Sequence, residues 1–266
     1  MKPGSSSIKE YIQEVWLYRH LIVVFAKQEF KVQYAQTKLS VLWVVLRPLL
    51  VIAIFTLIFD RLIHIHGQLY PYPLFAITGL IIWNNFSFMV NNSGNVIINN
   101  QQLIKKMYFP RVILLFAKLL NSLVEVGATF ILLLLLLLLW QYPITYRLVF
   151  APIFVGAGLI TGLCVSIWLN ALTIKHRDLH QFVPTLIGFM VWLMPVFYPA
   201  TIIPIEYSFI LYLNPIAGAI QGFRWAVLGD MLPSIWYIPS FIVTVVLLLW
   251  GGVVFIRAED ELADII

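Results

Sequence analysis

Between Leu62 and Ile104 the chain carries no Asp, Glu, Lys or Arg. Glu125 is the single charge between Lys118 and Arg147, and none interrupts Leu148–Ile174. Apolar runs of this length leave few options. A bilayer core of about 30 Å is crossed by about 20 apolar residues in a helix, and lipid offers the backbone no hydrogen-bond partner. The chain is 61% hydrophobic and 11% charged, whereas soluble domains carry about 25% charged residues. The fold class is therefore all-α and polytopic. A single transmembrane domain fills 1–266.

The runs predict six spans: Val41–Phe59, Leu74–Val96, Leu115–Trp140, Leu148–Ile174, Phe182–Val196 and Ile235–Ile256. Ile8–Ala26 reads as an amphipathic helix in the interfacial plane, with Trp16 and Tyr18 at headgroup level, and the interface region extends over 1–38. The segments of 201–234 are apolar but short, and Pro215 divides them. They read as two re-entrant half-helices at the outer face, before a last span over 235–257. The basic residues set the orientation. The inner segments hold Lys2, Lys9, Arg19, Lys27, Lys31, Lys38, Lys105, Lys106, Arg111, Lys118, Lys175, Arg177 and Arg257, and the outer ones only Arg61, Arg147 and Arg224. Lys and Arg concentrate on cytoplasmic loops, so both termini are expected inside. The net charge of +5 reflects this asymmetry, and the spread of basic residues points away from nucleic acid. Cys164 is the only cysteine, which excludes a disulfide framework or cysteine-based metal site. No cleavable signal peptide is expected.

Asn99–Arg111 is a polar, basic island between two spans. Leu103, Ile104, Met107, Tyr108 and Phe109 have the spacing of a brief amphipathic helix, which Pro110 would stop. The island is either a docking helix for a soluble partner or a loop that only sets topology. Within the spans, Arg47 and Glu125 are the notable charges. Each is a pathway residue or a structural one: Arg47 is within snorkelling reach of the surface, and Glu125 could pair with Arg47 or Lys118. Asn84, Asn85, Asn91 and Asn92 either bond across helices or face a wet cavity. Gly158 and Gly162 form a small-xxx-small face suited to close packing. His64 and His66 read as a solvated loop, since no third metal ligand is near. The chain has no G-x-x-x-x-G-K-[ST], H-E-x-x-H or G-x-S-x-G pattern, so neither nucleotide binding through a P-loop nor those hydrolytic chemistries is expected.

Further stretches carry a resemblance. They are Phe30–Trp43 with Arg47-Pro48, Tyr72–Phe75 with Gly79 and Trp83, and Leu103–Arg111. Arg177-Asp178 with Val183-Pro184, Pro195–Pro199, and Leu213–Pro215 through Gly222–Trp225 and Gly229 complete the set. In this order they resemble the polysaccharide-export branch of the ABC-2 transporter permeases. Ser40 and Arg47 depart from the residues more usual there. The resemblance implies a homodimer in a bacterial inner membrane, joined by two copies of a separate ATPase subunit that binds ATP and Mg; this chain would need no cofactor and would not itself be an enzyme. The implied cargo is a polysaccharide on undecaprenyl diphosphate, most often O antigen. Capsule, teichoic acid, a drug or a small lipid are alternatives, as is a membrane scaffold without transport. The resemblance further implies ATPase coupling through Gln102, Leu103, Ile104, Lys105, Lys106, Met107, Tyr108 and Phe109, and an outer gate at Asn214, Pro215, Arg224 and Trp225. Aromatic faces stack on sugars and amides bond their hydroxyls, which makes Phe59, Trp83, Asn84, Phe86, Phe88, Phe189 and Trp192 the candidate substrate path.

Overall fold

The computed structural model describes residues 8–34, 40–62, 70–94, 96–173 and 178–265. Among these the regular structure is helical throughout. His64, His66, Lys2, Lys38, Lys175 and Arg177 lie outside the described residues.

The chain opens with α1 (Ile8–Leu17) and α2 (Arg19–Tyr34). The expected single interface helix is therefore two. The break at Tyr18 has a local cause: the Arg19 guanidinium donates to the Trp16 carbonyl at 2.8 Å and lies 4.7 Å over its ring, closing the end of α1. Next comes α3 (Ser40–Phe55), which holds Pro48 and widens into a π-helical turn over Thr56–Leu62. After Pro71, α4 (Tyr72–Ser93) starts with Pro73 in its first turn, where the missing N–H costs nothing. Two short helices follow: α5 (Val96–Asn99) leads up to the basic island and α6 (Gln101–Lys106) lies within it. The extended backbone of Met107 ends α6, earlier than the expected stop at Pro110. The long α7 (Val112–Leu139) contains the leucine run, and α8 (Ala151–Thr173) follows a 3-10 turn at Tyr146–Phe150.

The fifth expected span is shorter than its apolar run. Helix α9 (Leu179–Met190) has 12 residues, about 18 Å of rise. The chain then runs through turns before Pro195 and Pro199. Beyond it are α10 (Ser208–Tyr212) and α11 (Pro215–Leu228), divided at Asn214-Pro215. Asn214 caps α11 by accepting from the Ile216 N–H at 2.9 Å, and Gly229 ends it in the left-handed conformation (φ 71°) that glycine adopts without strain. The last helix, α12 (Ile238–Ile265), runs on through the acidic tail.

Among the described residues, four segments are long and apolar enough to cross a membrane: Tyr72–Ser93, Val112–Leu139, Tyr146–Thr173 and Ile235–Arg257. Val45–Phe59 and Gln181–Met190 are shorter apolar helices. The central helix is α4, buried along most of its length, whereas the segment Ile235–Arg257 is largely exposed. Large apolar side chains such as Ile131, Leu138, Val246 and Leu249 face outward, as a lipid-facing surface requires.

Helices α4 and α8 run side by side in the same direction, registered by polar contacts. Asn85 donates to the Val155 carbonyl (3.2 Å) and accepts from Ser122 of α7 (2.7 Å). Ser166 donates to Met89 O (2.9 Å) and Asn170 to Ser93 O (2.6 Å). Gly162 makes this approach possible, since a Cβ there would lie 2.7 Å from Met89 Cβ, whereas one on Gly158 would come no nearer than 3.4 Å to Ile82. The asparagines divide. Asn85 bonds across helices, whereas Asn91 and Asn92 bond Ser87 and the Phe88 carbonyl of their own helix.

Candidate docking surface

Residues Gln101–Arg111 form a projecting corner where α4 gives way to α7; this is the basic end of the bundle. The short α6 turns Leu103 and Ile104 toward the core, both half-buried, and leaves Gln102, Lys105 and Lys106 exposed. Met107 and Tyr108 are also exposed, Tyr108 at 73%. Phe109 is buried and packs on Phe25 of α2, with ring centroids 5.2 Å apart. Of the eight candidates, five face outward, two brace α6 and Phe109 anchors the loop.

The loop is tied to both ends of the chain. Tyr108 donates to Glu14 of α1 at 3.2 Å. Arg111 is 8% exposed; its backbone N–H donates to a Glu259 carboxylate oxygen (2.9 Å) and its guanidinium to the Glu259 carbonyl (3.0 Å). The Tyr11 hydroxyl donates to the other Glu259 oxygen at 2.7 Å. Burial, then the adjacent Glu259 carboxylate, holds the Tyr11 phenol far above its usual range. Nearly two turns into α7, Lys118 pairs with Glu29 of α2 (2.9 Å), and Asn121 donates to the same carboxylate (3.2 Å). Lys118 is thus engaged by Glu29 of α2. The corner, α1, α2 and the end of α12 form one connected body. Tyr11, Glu14, Glu29 and Glu259 were not singled out from sequence, because each pairing joins residues far apart along the chain.

At the opposite end, Tyr70 donates to Asp230 (2.8 Å), and Tyr142 to the Leu228 carbonyl (2.7 Å). Burial and then Asp230 push the Tyr70 phenol up. Arg224 is 2% exposed; it donates to Val196 O at 2.6 Å, reaches Phe75 O at 3.4 Å and lies 3.5 Å over the Phe75 ring. Gly79 leaves room for it, since a Cβ there would lie 2.8 Å from its Nη2. Arg224 thus fastens α11 to the turns after α9. Trp225 is half-buried beside Phe150 and under Arg147, and Asn214 and Pro215 form the cap and first turn of α11.

The seven substrate-path candidates fall into separate groups. Trp83 and Phe86 are buried against each other, 5.6 Å between centroids. Asn84 and Phe88 are half-buried. Phe189 and Trp192 are exposed. Trp192 reaches Phe59 through Phe55, at 5.8 and then 5.7 Å, and Phe59 stacks on Tyr72 at 5.9 Å. Phe55 also stacks on Phe197 at 3.7 Å. Arg47 is exposed and Glu125 half-buried.

Residues 20–228 match the family model described as ABC-2 type transporter. The O-antigen export system permease protein RfbA of Klebsiella pneumoniae is 31% identical over 258 residues, covering 92% of this chain and 95% of the relative. The protein of the same name from Myxococcus xanthus is 27% identical over 257 residues, 95% and 98% of the two chains. The polysialic acid transport protein KpsM of Escherichia coli is 24% identical over 241 residues, 88% and 91%.

Proposed function

Because the chain belongs to the ABC-2 type transporter membrane family, we propose that it is the permease of an ATP-binding-cassette exporter that moves lipid-linked polysaccharide, O antigen above the alternatives, across the bacterial inner membrane. The observation that carries this is the 31% identity to an O-antigen export permease along 95% of its length. A relative named for polysialic acid transport supports polysaccharide as the wider class of cargo.

The working unit in this reading is a homodimer with two copies of a separate ATPase subunit, which binds ATP and Mg. The single membrane domain has six spans with both termini cytoplasmic. The shorter helices of Val45–Phe59 and Gln181–Met190 complete the six, and α10 and α11 form a re-entrant outer hairpin. The cargo is carried on undecaprenyl diphosphate. The ATPase meets the exposed side chains of Gln102, Lys105, Lys106, Met107 and Tyr108. Closure of the ATPase pushes this corner, and Phe109–Phe25, Tyr108–Glu14 and Arg111–Glu259 pass the displacement to α2, α1 and α12. Only contacts that differ between the two states can drive such a change. The exposed Phe189 and Trp192, continued by Phe55 and Phe59, suit a sliding sugar chain, because each ring contact is weak, about 1 kcal/mol, and has little directional demand.

The test replaces Leu103 and Tyr108 together by Asp in the assembled transporter. Surface polysaccharide is expected to be lost while the complex still assembles and hydrolyses ATP. Unaltered export would reduce the corner to a topology signal. Normal surface polysaccharide in a strain lacking this chain would refute the cargo.

A further inference from the structure

A groove of ≈ 840 Å³ lies between α2 and α7. Its walls are mostly apolar: Val23 and Phe30 from α2, Leu120, Leu123 and Val124 from α7. Lys27 and Lys31 stand on its α2 side, one helical turn apart and exposed. The charges around them are unequal. Glu29 is committed to Lys118 and Asn121, and neither Lys27 nor Lys31 has a carboxylate within ion-pair distance among the described residues.

The depth of the groove follows from helix length. Lys118 is the last cation before the apolar part of α7. From Leu119 to Leu139 the helix rises roughly 31 Å, the thickness of the hydrocarbon core. The Lys118–Glu29 pair therefore sits at headgroup level. Leu120–Val124 occupy the first turns beneath it, and Lys27 and Lys31 reach up beside it on long apolar stems. A slot with apolar walls in the acyl layer and two cations at the phosphate layer matches an anionic lipid in both regions.

We propose that this groove is a binding site for one anionic glycerophospholipid of the leaflet at the basic end. Lys27 and Lys31 hold its phosphate, and an acyl chain lies along Phe30, Leu123 and Val124. The occupant joins α2 to α7 beside the docking corner, so the lipid is a structural ligand of that corner. The inference rests on the chain spanning a membrane and is independent of the cargo.

The test places a photo-crosslinking benzoylphenylalanine at Leu123 of the full chain, in nanodiscs of phosphatidylcholine with a minority of phosphatidylglycerol. A probe at Ile131, which faces bulk lipid on the same helix, is the reference. The Leu123 probe is expected to take phosphatidylglycerol above its mole fraction, by on the order of fivefold for each lysine. In Lys27→Gln/Lys31→Gln the excess disappears. The Ile131 probe follows the bulk ratio in both proteins. Bulk-ratio labelling at Leu123 overturns the site, as does an excess that survives the double substitution. A product joining two copies of the chain assigns the groove to a partner protein instead. Displacement of the phosphatidylglycerol product by added polyprenyl diphosphate assigns it to cargo, which also overturns the proposal. No readout depends on export, so failure here is separate from failure of the transport reading.

Discussion

Glu259→Ala isolates the contact that ties the last helix to the first. The carboxylate accepts from the Tyr11 hydroxyl and the Arg111 N–H and lies 3.8 Å from Arg111 Nε. The two charged side chains are 9% and 12% exposed, so solvent screening is weak. Hydrogen bonds to a charged group contribute about 1.5–3 kcal/mol each. Arg111 keeps its bond to the Glu259 carbonyl, and water can enter as the end of α12 loosens. Both effects argue for the low end, about 3 kcal/mol in total for the two bonds. A helix of 10 residues such as α1 does not hold in isolation, so its protection depends on docking. Only the Tyr11 bond, about 1.5 kcal/mol of that sum, joins α1 itself, so its loss raises the opening equilibrium of α1 on the order of 10-fold. Hydrogen–deuterium exchange of the full chain reads this directly. Amides of Ile8–Leu17 should exchange on the order of 10-fold faster, with those of α4 unchanged. Glu259→Gln keeps an acceptor but loses the charge, and should fall between. Unchanged exchange in α1, or an equal rise in α4, would refute the argument that this carboxylate holds the termini together.

Tyr11 has a raised pKa, so its contribution is complete below the ordinary tyrosine value of about 10 and is lost only as pH climbs through the higher folded value. Wild type and Tyr11→Phe should therefore develop the same phenolate absorbance between about pH 9 and 11; a deficit in the variant would contradict this burial. Arg224→Met leaves Val196 O, in a fully buried residue, without its donor. It should lower stability by about 1–3 kcal/mol, visible as a lower unfolding midpoint in detergent, and a midpoint at or above wild type would argue against the clamp. Trp83→Ala with Phe86→Ala empties buried volume, about 3–5 kcal/mol for each ring, and should reduce the yield of folded protein. Phe189→Ala with Trp192→Ala should instead fold normally and slow polymer export. Normal export by that second pair would remove those rings from the substrate path.

The long apolar stretches could be read because charge marks their ends: Lys118 and Arg147 bracket the apolar part of α7 and its outer loop, and Gly162 lies on the face of closest approach to α4. The short helices were harder to read. Val191–Val196 is as apolar as α9 itself, so composition extended a helix that the structure ends at Met190. The end of α1 at Trp16–Arg19 carries neither Pro nor Gly, and its cap is a side chain folding back on the carbonyl three residues earlier. The docking corner was visible as a basic island, but its fastening was not. Arg111 to Glu259 and Lys118 to Glu29 are pairings set by how helices assemble, and periodicity along one helix holds no information about them. Phe109 shows the same limit: the resemblance placed it with the coupling residues, and the approach of α2 buries it.

The bonds that register α4 against α8 divide the molecule mechanically. Sliding one of these helices past the other by a turn, about 5.4 Å, would pull Asn85, Ser166 and Asn170 from their carbonyls together, where no water can replace them. A stroke of the transporter cannot pass through that step cheaply, so α4, α7 and α8 are expected to move as one body. Motion is left to the short apolar helices α3 and α9 and to the turns after Met190. A disulfide engineered between α4 and α8 should leave transport running, whereas one that joins α3 to α9 should stop it.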